Sequence, residues 1–151
     1  MPRRLAAVAL ALVITIGWTI ARAALPPDVD KALRDARYVY IQSERKGGEL
    51  SKPAEIWFYY DGKDVYVGTR PASWRVRRIK AGRKKARIAV GKPDGPHFDA
   101  VGELKHDPAI EEKLMAEYAR KYPEGWAQHA DGFRTGFKSG DRVLVRYAPK
   151  T

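Results

Sequence analysis

The clearest pattern is a set of short hydrophobic–polar alternations separated by turn residues. Tyr38 to Ser43 alternates and is rich in β-branched and aromatic side chains, which predicts a strand. Lys46 to Lys52, with Gly47-Gly48, reads as a polar loop, and Ala54 to Tyr60 as a second, aromatic strand. Asp61-Gly62 marks a hairpin turn, and Asp64 to Gly68 returns as a third strand. Arg87 to Val90, His97 to Leu104 and Val143 to Tyr147 are three more, the first two joined through a turn at 92–96. Three stretches instead show helical spacing. Pro27 to Ala36 places Val29, Ala32 and Leu33 on one face. Thr69 to Lys80 has Thr69 as its cap, Pro71 in its first turn, and Ala72, Val76 and Ile79 as its apolar positions. The third follows Asp107-Pro108, with a stripe of Ile110, Leu114, Tyr118 and Tyr122, acidic residues early, basic residues late, and Pro123 as its stop. About six strands with two to three helices predict a mainly β fold, a small antiparallel barrel with helical additions.

The start of the chain follows a different rule. Arg3-Arg4 precedes Leu5 to Ile20, which holds no charged residue, and Ala21-Arg22-Ala23 follows. A basic start, an apolar run and a small-x-small site predict a signal peptide over residues 1–23, cleaved after Ala23 or kept as an N-terminal anchor. The run of 16 residues is short of the roughly 20 that span a bilayer comfortably. The Arg pair also fits twin-arginine export, although its flanks match that signal poorly. Residues 24–151 then form a single domain. The chain has no cysteine and no asparagine, which excludes disulfides, thiolate catalysis, zinc–thiolate sites and N-glycosylation. These features together predict an exported protein of the bacterial periplasm or cell envelope.

Charge sharpens the picture. The chain carries 29 basic and 18 acidic residues, net +11. Between Asp64 and Asp94 there is no acidic residue, while Arg70, Arg75, Arg77, Arg78, Lys80, Arg83, Lys84, Lys85, Arg87 and Lys92 all fall there. The excess charge of the domain therefore lies in one segment, whose self-repulsion calls for an anionic partner. A solvated basic face, in contact with a membrane surface, is the plainer reading. Nucleic acid is not expected, because the run is compact rather than striped and an exported protein rarely meets it.

Other chemistry is weakly signalled. His97, His106 and His129 show no metal-ligand spacing and read as surface, turn or loop residues. Asp28 and Asp30, like Glu111 and Glu112, fit helix first turns better than paired catalytic carboxylates. The serines have no triad context, and the glycines from 132 to 140 are too irregular for a nucleotide fingerprint. Thr69, Arg70, Ser73 and Arg75 do offer hydroxyls and guanidinium groups together at a predicted helix start, which suits a phosphate.

The segment Ala54 to Gly68 resembles the central hairpin of the pyridoxamine 5′-phosphate oxidase-like proteins, the flavin-binding split β-barrel group. Thr69, Ser73, Arg75 and Ile79 are similar in type and spacing to the segment that follows it there, and Gly102-Glu103-Leu104 leading into Asp107-Pro108 also resembles that group. The likeness in element order spans Ala36 to Tyr147. It implies a split antiparallel β-barrel, a homodimer, and a groove at the dimer interface. That groove would hold FMN or a deazaflavin, or in some relatives haem or no cofactor, for redox chemistry on a small-molecule substrate. Carried over, Thr69, Ser73 and Arg75 would meet the cofactor phosphate, with Arg70 and Arg78 beside them. Trp57 and Tyr59 would lie near the ring. No catalytic residue is implied. The basic stretch Lys80 to Ala86 and the bulky Trp74 depart from the group's pattern. An exported chain must also load any flavin before export or find it outside. That leaves open a non-enzymatic envelope protein that turns its basic groove to an anionic ligand, haem or lipid.

Overall fold

The computed structural model describes residues 24–150, so the expected leader at 1–23 lies outside the described residues. Seven strands form one antiparallel sheet in the order β2-β1-β5-β6-β7-β4-β3. They are β1 Val39–Ser43, β2 Ala54–Ile56, β3 Tyr59–Tyr60, β4 Val65–Thr69, β5 Lys85–Val90, β6 His97–Lys105 and β7 Val143–Pro149. The two edge strands, β2 and β3, are consecutive in the chain, with only Trp57 and Phe58 between them. The sheet must therefore curl until its edges meet in one segment, which is a barrel split at that point. The single strand expected over Ala54 to Tyr60 is the two halves of this joint. Its first half pairs with β1 and its second with β4.

Four helices complete the domain: α1 Pro27–Asp35, α2 Trp74–Lys80, α3 Pro108–Lys121 and α4 Pro123–Ser139. α1 and α3 fall where the periodicity places them. Asp107 caps α3 by accepting a bond from the Ile110 N–H at 3.1 Å. The hairpin turn also forms as expected. The Asp61 carboxylate accepts from the N–H groups of Lys63 and Asp64, and Gly62 supplies the left-handed backbone with φ +92°.

Two expectations fail. The helix expected over Thr69 to Lys80 starts only at Trp74. Thr69 is instead the last residue of β4, paired with Val143, so it caps nothing. Sheet pairing there outweighs local helix propensity. The second failure is α4, a 17-residue helix where a loop was expected, so His129 sits on a helix. Pro123 ends α3 and opens α4 at once. The apolar side chains Trp126, Ala130, Phe133 and Phe137 are buried at helical spacing, and Gly125, Gly132 and Gly136 hide that stripe in the sequence.

Two apolar clusters flank the sheet. Val39, Ile41, Phe58, Val65, Val67, Ile88, Val145 and Tyr147 fill the barrel, joined by Val29 and Leu33 of α1 and Val76 and Ile79 of α2. Tyr66, Leu144 and the buried faces of α3 and α4 make the second. Alternation persists through the joint. Phe58 and Tyr60 face the barrel cluster, while Trp57 and Tyr59 pack on the helical one. Since β4 is covered on both sides, Val65, Tyr66, Val67 and Gly68 are all buried.

The joint interrupts the ladder, and α3 repairs it. The Tyr118 hydroxyl donates to the Trp57 carbonyl at 2.9 Å and accepts from the Gly68 N–H at 3.2 Å. The Tyr122 hydroxyl accepts from the Phe58 N–H at 3.2 Å and donates to the Arg37 carbonyl at 2.6 Å. Lys121 donates to the Phe58 carbonyl at 3.3 Å. Residues 118, 121 and 122 share one helix face, so one stripe serves all of these backbone groups. Buried peptide groups left unpaired are costly, which makes this repair a condition of the barrel's closure.

Candidate functional site

The end of β4 divides two recesses. Thr69 lies in the wall of both. The first, about 330 Å³, is walled by Ile41, Ser43 and Ser51 on one side and by Ser73, Trp74, Arg75 and Arg78 on the other. The second, about 340 Å³, is bounded by Glu55, Trp57, Arg70, His129, Phe133 and Arg142. The predicted residues thus divide between them. Ser73, Arg75 and Arg78 share the first recess, Trp57 and Arg70 the second, and Thr69 joins the two. Tyr59 lines neither and is stacked on Tyr66, with ring centroids 5.9 Å apart.

Local geometry explains the first recess. A tight turn follows β4, closed by a bond from the Ser73 N–H to the Arg70 carbonyl at 3.0 Å. Ser73 then holds the N-cap position of α2 in extended conformation, but its hydroxyl makes no capping bond. Buried Val76 and Ile79 fix the helix on the barrel, so Ser73 and Arg75 are held on a rigid support. The Ser73 Oγ and one Arg75 terminal nitrogen, Nη1, are buried and have no hydrogen-bond partner. Buried polar atoms are nearly always paired, so two such donors within three residues are unusual. Arg75 lies within electrostatic reach of the Tyr118 and Tyr147 hydroxyls, and its charge opposes the upward shift that burial imposes on both phenols. The Tyr147 hydroxyl is buried beside Arg75, and their approach falls short of good hydrogen-bond geometry. A phosphate suits this donor set, since its oxygens accept from hydroxyl and guanidinium groups alike.

The second recess has an aromatic wall. Trp57 stacks on Tyr122 at 4.4 Å with planes 8° apart, and Tyr122 stacks in turn on Tyr38 at 5.7 Å. His129 meets the Trp57 ring edge-on at 5.9 Å. One face of the indole is therefore already occupied by protein. Arg142 packs over Phe133, 5.1 Å from its ring centre. Sequence reasoning missed His129, Phe133 and Arg142 as site residues because α4 went unrecognised. It also missed Ser43 and Ser51, which only the pairing of β1 brings opposite α2. The Trp126–Phe133–Phe137 spacing was the available signal for the first group. The serines carried none.

No protein-family model matches the sequence, and no curated protein does. Solved structures do match in fold. One is a protein related to general stress protein 26, of the pyridoxinephosphate oxidase family, from Clostridium acetobutylicum. It is 16% identical, with 80% of each chain covered and a TM-score of 0.56. An F420 reductase is 21% identical, with 84% of this chain and 97% of that chain covered and a TM-score of 0.54. HutZ, described as the haem storage protein of Vibrio cholerae, is 15% identical, with 85% and 92% covered and a TM-score of 0.58. At these identities the likeness is one of fold. The chain has the split β-barrel fold of the pyridoxamine 5′-phosphate oxidase-like proteins.

Proposed function

We propose that this chain is an exported, envelope-located oxidoreductase that binds FMN, or a deazaflavin, and acts on a small molecule as a homodimer. One observation carries the reading: the buried Ser73 hydroxyl and the Arg75 Nη1, neither with a hydrogen-bond partner, on the connection between β4 and α2. They would hold the cofactor phosphate, with Thr69 and Arg78 in the same recess. The cofactor, when bound, supplies the hydride chemistry. The protein's part is to fix the phosphate, to support the ring side through the recess beside Trp57, and to exclude water. The neighbouring folds include an F420 reductase and a member of the pyridoxinephosphate oxidase family, which is consistent with a redox cofactor.

The test is a fluorescence titration of the purified protein with FMN and with a deazaflavin, alongside its absorbance spectrum. Micromolar or tighter binding is expected. Ser73→Ala with Arg75→Ala should weaken it at least about a hundredfold, since charge-assisted bonds contribute about 1.5–3 kcal/mol each. Equal affinity in the double variant would remove the assignment. Light scattering on the same preparation tests the dimer.

A non-enzymatic haem-binding role is the second reading. It rests on the other recess, where His129 stands with aromatic Trp57 and Phe133 and the cations Arg70 and Arg142. A Soret band on hemin titration that His129→Ala abolishes would favour it over the flavin.

A further inference from the structure

The face of α2 that points away from the barrel is built unlike the rest of the surface. Trp74 is 67% exposed, and it is the one large hydrophobic side chain left exposed among the described residues. Val76 and Ile79 are buried, so α2 lies along the barrel and turns Trp74, Arg77 and Lys80 outward. The guanidinium groups of Arg77 and Arg78 sit over the indole, 5.3 and 5.6 Å from its ring centre. Lys84 is exposed just beyond the helix, and exposed Lys52 borders the same recess as Trp74.

The charges here are unbalanced in space as well as in sequence. Arg87 and Lys92, late in the basic segment, pair with Asp99 and Asp94. Arg77, Arg78, Lys80, Arg83 and Lys84 form no ion pair among the described residues. Exposed indole surrounded by unpaired cations needs a partner that is anionic and offers an apolar layer beneath its charge. A second copy of this chain fails the first condition. An isologous contact through Trp74 would set two cationic patches face to face. Nucleic acid fails the second, since guanidinium groups already engage the π-face on which a base would stack.

We propose that this α2 face docks on an anionic lipid bilayer, with Trp74 at headgroup depth and Arg77, Lys80 and Lys84 against the lipid phosphates. Indole rings favour that interfacial layer, and cations near an anionic leaflet add to binding. Trp74 and Arg78 also border the recess held by Ser73 and Arg75, whereas Arg77, Lys80 and Lys84 lie outside it, so charge reversal at Arg77 and Lys80 tests the lipid contact without altering that recess.

The test is co-sedimentation of the full chain with neutral phosphatidylcholine vesicles and with vesicles carrying about 30 mol % phosphatidylglycerol. The apolar run Leu5 to Ile20 is common to every sample, so the difference between the two vesicle types is the readout. Partitioning should be at least about tenfold stronger on the anionic vesicles and fall steeply between about 0.1 and 0.5 M salt. Arg77→Glu with Lys80→Glu should remove that preference. Trp74→Ala should weaken anionic binding about fivefold while leaving the melting temperature unchanged, because the side chain is exposed. Three results would overturn the proposal. They are equal binding to both vesicle types, a preference that survives the double charge reversal, and a Trp74-dependent dimer in light scattering. Stronger binding to single-stranded oligonucleotide than to the anionic vesicles would overturn it too.

Discussion

Two stretches of the chain leave the sheet, and they treat their polar groups in opposite ways. At the joint, Trp57 and Phe58 break the ladder, and side chains of α3 satisfy the Trp57 carbonyl and both backbone groups of Phe58. At the turn from β4 into α2, the Ser73 hydroxyl and an Arg75 nitrogen are buried with no partner. The first region is closed and serves the fold. The second keeps donor capacity unused at a stability cost, which the proposed cofactor phosphate would offset. The same barrel holds both, with β3 and β4 between them in the chain.

Breaking the joint should have the largest effect. Tyr122→Phe removes the hydroxyl that serves both Phe58 and Arg37, leaving a buried N–H unsatisfied, and should cost about 2–4 kcal/mol in denaturant unfolding. A smaller loss is expected for Gly68→Ala. A methyl group there would stand 2.7 Å from the Phe133 ring, so α4 must shift, at about 1–3 kcal/mol.

Lys121 gives a pH test. Burial pushes its ammonium down to about 8, although its Nζ lies 3.5 Å from the centre of the Phe58 ring. The folded value lies below the unfolded one, so between about pH 8 and pH 10 the unfolded chain binds more protons and stability rises with pH. The gain is about 1–2 kcal/mol once partial solvent access is allowed for. Above that window the tyrosines reverse the trend. Burial raises Tyr118 and Tyr122 and pushes Tyr66 up to about 12, so unfolded phenols ionise first. Lys121→Met should flatten the rise, as unfolding curves at pH 7.5 and pH 9.5 would show (about one titration window apart).

The smallest effect belongs to the other region and has the opposite sign. Ser73→Ala removes an unpaired buried hydroxyl, so stability without ligand should stay level or rise by about 0.5 kcal/mol. A loss as large as that of Tyr122→Phe would show that Ser73 serves the fold, and the contrast would collapse.

Much of the barrel was legible beforehand because period-2 alternation is a local property. The hairpin through Asp61-Gly62 and the capped helix at Asp107-Pro108 needed no distant contact. The helix over Pro123–Ser139 was missed because three glycines lower its propensity, and contact with the sheet supplies the missing stability. Thr69 was misplaced for the related reason that its β7 partner, Val143, lies far along the chain.

The sequence alone determined where most of the strands run, the absence of cysteine and the concentration of charge between Asp64 and Asp94. It also named Tyr118 and Tyr122 as one stripe, though only as apolar positions. Only the tertiary structure decided that those hydroxyls close the barrel. It also decided that Ser43 and Ser51 face Ser73 across a recess, and that Trp74 stands exposed among unpaired cations. The reason is physical: periodicity and turn chemistry act within a few residues, whereas hydrogen-bond satisfaction and burial depend on which distant segments the sheet brings together.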